Sequence, residues 1–581
     1  MKFVHRVTSF SARFKKSYEM AVIDSKKQER DEFDELMVHI GVNGKFQLRF
    51  NLLFNMLFVL IFSICCFNVY IALTVPGHWC HVPGRNETNY TIEEWKEMNI
   101  PKDESGYGFR KCQMYNTTVT YNRTIFEELE EHRSIIDCQH GWEYDTTWYK
   151  MTVPTQEDWV CDKELYVANS LFAARAGEAL GSLVFGHLGD TMGRRPVLFI
   201  AVATMVVGRC LSVLVSGTYY LFLLFCFIGN SSVVTVFVAP LVIGVELSSS
   251  EKRSHIAMLQ FFGWTGGTCT LTVLAWITGG EWKAMLLVSS LPSLLIFTLH
   301  KMFPESPRWL ASSGKTAECE KVLSNIAHVN GNTLPENTFT ILKKADQAKE
   351  GHFGVGSLFS SWRLARNTFL VCSCIVLCHL IYYTVILQVT GMSGNPYLNF
   401  FLQAVVEFPG FILGRIISDK LGRRWTQGTA YMLSALCLLL ITTVTQAGSL
   451  QWLVTSLVVG VKFLITITVY VGYLLNTEIY PICVRQSGSS VGFTGSGTLG
   501  VVAPYIAYLG SAVGVNYPYF ILAGLALLGA VCSLLLPETL NEKLPETLAD
   551  AAQFGLNQKF WSLPSRQRGQ MKATELKTEE L

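Results

Sequence analysis

Arg175, Glu178, Arg209, Glu407 and Lys462 each stand inside an otherwise apolar run of the chain. An ionisable side chain at the centre of an isolated membrane helix costs about 2.5–3.5 kcal/mol on insertion scales, so each of these needs a wet cavity, a bound ion or a partner. Arg175 and Glu178 lie three residues apart and therefore on one helix face. They read either as a pair that neutralises itself, or as a base and an acid offered separately to a cation or zwitterion. Glu407, two residues before Pro409, is a structural or a ligand acid, and Lys462 pairs with it, meets a carboxylate or closes a gate. Arg209 has no evident partner. Aromatic rings attract protonated and quaternary amines. Tyr382, Tyr383, Trp264, Trp276, Tyr470 and Tyr473 are placed to line a cavity, although packing and interface anchoring are the commoner uses of such rings. Gln388 adds a polar contact.

Chemistry of other kinds finds no support. No nucleophile stands with a base, and His255 and His379 have no second metal ligand at useful spacing, so neither catalysis, a metal nor a cofactor is expected. Gly314-Lys-Thr316 ends like a phosphate loop, but residue 309 is Trp where that loop requires Gly. A net charge of +2 excludes the dense basic face that nucleic acid binding needs.

The elements that must position these residues follow from composition. The 581 residues are 50% hydrophobic and only 16% charged, with a mean hydropathy of +0.30. Soluble domains carry roughly 25% charge. The apolar residues fall into twelve blocks, each long enough to cross a hydrocarbon core of about 30 Å as a helix. Their bounds are 51–75, 165–187, 196–215, 219–245, 255–278, 282–303, 367–390, 396–417, 426–446, 450–475, 488–511 and 515–536. Twelve spans put both termini on one side. The Lys and Arg of the short loops all lie on that side, as do ten Lys or Arg before residue 50. The positive-inside rule then makes it the cytoplasm.

Residues 76–163 form a long external loop with four sequons, at Asn86, Asn89, Asn116 and Asn122, and four cysteines, Cys80, Cys112, Cys138 and Cys161. In an oxidising compartment these cysteines make two disulfides, with three pairings open. The expected organisation is a cytoplasmic segment 1–50, a six-helix bundle 51–303 that includes the loop, a cytoplasmic linker 304–366, a second bundle 367–536 and a cytoplasmic tail 537–581. Glu579-Glu-Leu581 reads first as a solvated acidic end, with capture by a peptide-binding scaffold domain as the alternative.

The two bundles are repeats. Asp190-Thr-Met-Gly-Arg-Arg195 returns 229 residues later as Asp419-Lys-Leu-Gly-Arg-Arg424. Glu246 with Arg253 returns 232 residues later as Glu478 with Arg485, and Pro304-Glu305 returns 233 later as Pro537-Glu538. Parallel repeats of this kind are the arrangement of two-bundle secondary transporters, with the ligand site near mid-membrane between them. Gly permits a tight turn, and an Arg pair can meet an acid on a neighbouring helix end. Asp190, Arg194 and Arg195 with Glu246, and Asp419, Arg423 and Arg424 with Glu478, are thus expected to form breakable cytoplasmic latches.

Gly186-His-Leu-Gly-Asp-Thr-Met-Gly-Arg-Arg195 resembles the loop signature of the major facilitator superfamily, and Pro304-Glu-Ser-Pro-Arg-Trp-Leu310 narrows it to sugar-porter-like and organic-ion branches. Pro76-Gly-His-Trp-Cys80, Cys138-Gln-His-Gly-Trp-Glu-Tyr-Asp145 and Asp158-Trp-Val-Cys161 resemble the external loop of the organic cation/anion/carnitine transporter family. Gly394-Asn-Pro-Tyr-Leu-Asn399, Glu407-Phe-Pro409 and Thr477-Glu-Ile-Tyr-Pro481 are similar to that family's second half.

The resemblance, over roughly residues 40–545, implies an all-α membrane protein with twelve transmembrane helices in two six-helix bundles and a disulfide-linked extracellular loop. It implies alternating-access transport of small organic cations or zwitterions, carnitine-like or amine compounds, across the plasma membrane. An organic anion carrier is the alternative, and a non-transporting receptor of the same fold stands behind both. The partners implied are an organic ion, the lipid bilayer and a coupling ion, sodium or proton. The chain also departs from the family. Its span-four Arg is Phe225 here, ahead of Gly229; Tyr382-Tyr-Thr384 replaces Tyr-Tyr-Gly; and the span-eleven position that carries an acid in cation members and an Arg in anion and carnitine members aligns with Gly497.

Overall fold

A computed structural model describes residues 35–558 apart from 42–43, 86–88, 103–107, 117–133, 249–252, 336–337, 339–341, 343–354, 393, 448–450, 482–483, 541, 543–544, 546–547 and 557. Its described residues hold twelve long helical segments. These are α1 (Lys45–Ala72), α2 (Leu165–Met192), α3 (Arg194–Leu214), α4 (Tyr219–Glu246), α5 (Arg253–Ile277), α6 (Trp282–Thr298), α7 (Trp362–Leu387), α8 (Pro396–Leu421), α9 (Arg423–Ala447), α10 (Gln451–Glu478), α11 (Arg485–Gly500, continued by Ala503–Ala512) and α12 (Tyr517–Leu534). Eight of them are long and apolar enough to cross a membrane. The other four are shorter, interrupted or more polar. α6 tightens into a 3-10 turn over Leu291–Leu294 around Pro292, α11 breaks ahead of Pro504, α2 carries Arg175 and Glu178, and α5 is rich in threonine.

Helix ends differ from the apolar blocks where a cap or a long side chain extends the helix. α1 starts at Lys45, not residue 51, and passes through a π-helical stretch over Asn51–Phe58. Stems of Lys and Arg can lie along apolar surface, so Lys45 and Arg49 do not end the helix. α7 starts at Trp362, not residue 367, because the Ser361 side chain accepts from Leu364 N. At the turns α2–α3 and α8–α9, Gly193 and Gly422 take φ of 105° and 94°, a conformation that only glycine adopts without strain.

Packing follows two equivalent sets. In the first, α1 lies on α5 and α6, and α4 on α2 and α3; in the second, α7 lies on α11, α9 on α10 and α12, and α8 on α10. A Cβ on Gly177 or Gly181 would strike the carbonyl oxygens of Phe227 and Ser231, so α2 and α4 touch backbone to backbone. The two sets meet where α2 packs on α11 and α5 on α8.

The loop between α1 and α2 is a small folded unit. Strand β1 (His78–Cys80) pairs antiparallel with β4 (Trp142–Tyr144), and β2 (Gln113–Tyr115) with β3 (Ile135–Asp137). The helix Ile92–Asn99 begins with a capping box between Thr91 and Glu94, and its Trp95 packs with Cys80, Val82 and Met114. Of the three pairings open in the sequence, the structure has Cys80–Cys138 and Cys112–Cys161. Asn89 and Asn116 are exposed; Asn86 and Asn122 lie outside the described residues. Between α6 and α7 the chain forms the helices Pro307–Ser312 and Thr316–Asn330. Asn330 fastens the second to the start of α1, donating to Ile40 O and Gly41 O and accepting from Phe46 N.

Candidate functional site

Four of the five in-span charges converge between the two sets of helices. On α2, Arg175 Nη1 donates to Glu178 Oε2 at 2.5 Å, and its other terminal nitrogen donates to the Tyr70 hydroxyl of α1. The guanidinium carbon lies 3.4 Å from the centre of the Tyr383 ring of α7. Across the gap, Lys462 of α10 lies 3.0 Å from Glu407 Oε1 of α8 and 3.1 Å above the Tyr382 ring. The contact with the carboxylate is an ion pair whose geometry falls short of a hydrogen bond. Glu407 is held from two further directions, by Tyr382 OH at 2.6 Å and Thr265 Oγ1 of α5 at 3.0 Å, while Trp264 Nε1 donates to the Tyr382 hydroxyl at 3.2 Å.

Each base therefore sits on one face of adjacent tyrosines, whose rings stand at 89° to one another with centres 5.3 Å apart. Successive helix positions point about 100° apart, and this lets one helix serve both ion pairs. Burial without pairing would be strongly unfavourable for any of these charges, and pairing with ring faces beside it makes the arrangement tolerable.

The remaining expected residues are distributed differently. Arg209 is not among the partners of the cluster; its Nη2 donates to Asn230 of α4 at 2.9 Å. Gln388 caps the end of α7, six residues beyond Tyr382, and faces Gly510 of α11. Trp276 is 65% exposed and points outward, whereas Tyr473 packs on Phe261 and Phe493. A Cβ at Gly497 would lie 3.3 Å from Ala179 Cα, so in this conformation α11 touches α2 where the resemblance leads one to look for a charged side chain. Tyr70 and Thr265 went unnoticed in the sequence. Nothing local marks them out; they enter only because α1 and α5 flank the gap.

At the helix turns the two repeats build the same device. Glu305 accepts from Arg194 N at 2.9 Å and Arg195 N at 3.0 Å, and Glu538 accepts from Arg423 N at 2.8 Å and Arg424 N at 3.2 Å. Behind each, Ser306 donates to Glu246, and Thr539 to Glu478. Arg423 also pairs with Glu478 at 3.3 Å and Asp419 at 3.2 Å, and Arg194 faces Glu246. Arg423 thus meets and Arg194 faces the acid named from the sequence, whereas the Arg195 side chain donates to His300 O and Arg424 faces Glu538; Glu305 and Glu538 are the acids that close the turns. Their recurrence in Pro-Glu was the available signal. The side chains of Asp190, Arg253 and Arg485 lie outside the described residues.

The cluster is shut from both ends. On the loop side Tyr397 OH of α8 donates to Trp148 O at 2.8 Å and Tyr505 OH of α11 reaches Asn169 of α2. Burial pushes the Tyr149 phenol up to about 12, so it stays protonated beside Tyr397. Beneath them is a cavity of about 40 Å³ lined by Tyr70, Thr74, Thr272, Tyr149 and Tyr397. On the opposite side Phe261 stacks on Phe411 at 4.5 Å, and Arg415 donates to a ring nitrogen of His255 at 3.3 Å.

Residues 114–550 match the family of sugar (and other) transporters. Human solute carrier family 22 member 7 is 31% identical over 540 residues, covering 89% of this chain and 96% of that protein. The chain belongs to that transporter family and, within it, to solute carrier family 22. Two further relatives of this solute carrier are the carcinine transporter of Drosophila melanogaster, 28% identical over 91% of this chain and 80% of that protein, and the human organic cation/carnitine transporter 2, 27% identical over 89% and 93%. The xylose transporter XylE of E. coli, in a partially occluded inward-open conformation, superposes with a TM-score of 0.53 over 84% of this chain and 99% of that one, at 16% identity. The solute carrier is thus a multi-pass membrane transporter with the major facilitator fold.

Proposed function

We propose that this solute carrier moves small organic cations and amine-bearing zwitterions across the plasma membrane, and that it recognises them at the Arg175–Glu178 and Lys462–Glu407 cluster. One observation carries the reading. The Lys462 ammonium rests against a carboxylate and a tyrosine face, 3.0 and 3.1 Å away, which is the surrounding that recognises an organic ammonium. A substrate amine entering the gap competes with Lys462 for Glu407. The displaced lysine, or Arg175, then meets a substrate carboxylate where there is one. The four charges sum to zero, which suits a zwitterion or a monocation with a counter-charge and disfavours a dicarboxylate. Two of the relatives are named for carcinine and for organic cations and carnitine.

Transport proceeds by alternating access. The closed state described above opens to one side when α5–α8 and α2–α11 contacts part, and the Glu305 and Glu538 turns act as latches that hold the helix ends during that movement. The long loop is external and glycosylated, both termini are cytoplasmic, and sodium, protons or the membrane potential drive the cycle. A scaffold domain at Glu579-Glu-Leu581 is a further partner in this reading. Uptake of labelled tetraethylammonium, carnitine and a dicarboxylate into expressing cells, with and without sodium, tests it. Saturable uptake of the first two is expected; movement of the dicarboxylate alone sinks the cation and zwitterion reading.

A further inference from the structure

The first set of helices buries a charge that the central cluster does not use. Arg209 is 1% exposed. Its Nη2 donates to the neutral Asn230, whose own amide nitrogen is spent on Cys226 O at 2.7 Å. Its Nε and Nη1 are buried with no nitrogen or oxygen partner, the Cys65 sulfur lies beside the guanidinium, and no carboxylate pairs with it among the described residues. A guanidinium stays protonated in proteins and can only donate, so burial does not neutralise it as it would a lysine.

The surroundings supply further donors, one unpaired acceptor in Asn68 Oδ1, and no acid. The Cys65 thiol of α1 lies against the guanidinium and donates to Ser290 Oγ of α6 at 3.3 Å. Ser290 Oγ also accepts from Asn68 Nδ2 at 3.2 Å, so its oxygen is used as an acceptor twice and its hydroxyl proton is left to give. Cys66 and Cys226 stand nearby, adding small apolar walls. Two buried nitrogens of a fixed cation and the nearby Ser290 hydroxyl form the donor set of a small anion.

We propose that Arg209, with Ser290, holds a small inorganic anion between α1, α3, α4 and α6, and that chloride is the ion of fitting charge and size. The ion neutralises Arg209 and ties four helices of the first set together. It is a resident ion, distinct from the substrate, and the proposal does not depend on which substrate is carried.

The test is thermal unfolding of the purified full chain in detergent, in sodium chloride against sodium gluconate at equal ionic strength. The midpoint is expected to rise saturably with chloride and with bromide. Arg209→Met abolishes the response, and Ser290→Ala moves it to about tenfold higher chloride, the effect of losing one hydrogen bond to a charged group. Equal midpoints in chloride and gluconate overturn the proposal, as does a chloride response that survives in Arg209→Met. Should Arg209→Met fail to fold, equilibrium binding of radiolabelled chloride to the unmodified protein decides. Saturable binding displaced by bromide supports the site, and its absence overturns it.

Discussion

At the scale of single residues, the tyrosine pair separates ring from hydroxyl. Tyr382 gives its ring to Lys462 and its hydroxyl to Glu407. Tyr382→Phe keeps the ring and removes one hydrogen bond to a buried carboxylate, worth about 1.5–3 kcal/mol. Binding of tetraethylammonium to the purified variant should weaken severalfold while Tyr382→Leu weakens it further; equal affinities for the two variants would show that the ring face is not used. The Arg175–Glu178 pair was legible in the sequence because partners three apart on one helix meet whatever the tertiary fold. The Lys462–Glu407 pair was one of several readings, since residues 55 positions apart meet only through helix packing. Tyr70 is one of 22 tyrosines and has no local mark at all.

At the scale of elements, the two repeats place matching carboxylates under matching turns. Glu305 and Glu538 each accept two backbone N–H bonds at the first residues of α3 and α9, where the N–H groups have no partner inside the helix and the helix dipole favours an anion. Glu305→Gln and Glu538→Gln each keep the shape and lose the charge. Maximal uptake should fall severalfold at equal surface expression with little change in half-saturating concentration, as measured by concentration-dependent uptake. A change confined to apparent affinity would contradict a latch role. The duplication itself was visible because the turn text is repeated. The acids that close the turns carry no local mark of that role, because Glu305 lies 110 residues from Arg195 and only the return of α6 brings them together. Gly497 became intelligible in the same way. The contact with Ala179 explains why α11 brings no charge to the gap in this conformation.

At the scale of the whole molecule, apolar block lengths and repeated motifs sufficed for twelve helices in two equivalent sets, since the hydrocarbon thickness dictates helix length. They did not reveal the conformation. Closure on both sides rests on single contacts such as Tyr397 to Trp148 and Phe261 to Phe411, which join distant parts of the chain and leave no periodic trace. The same closure buries Glu407 with Lys462, and a substrate ammonium must take that lysine's place for the cluster to act as the site. Removing the carboxylate's charge leaves Lys462 buried without its partner, a loss of about 3–5 kcal/mol for a broken buried pair. The most direct test is therefore saturable tetraethylammonium uptake by unmodified protein, Glu407→Gln and the double variant Glu407→Gln/Lys462→Met at matched surface expression. We predict uptake by the unmodified protein and at least a tenfold loss in both variants, including the double variant in which no uncompensated charge remains. Uptake by the double variant with unchanged half-saturation would contradict recognition of the cation at Glu407.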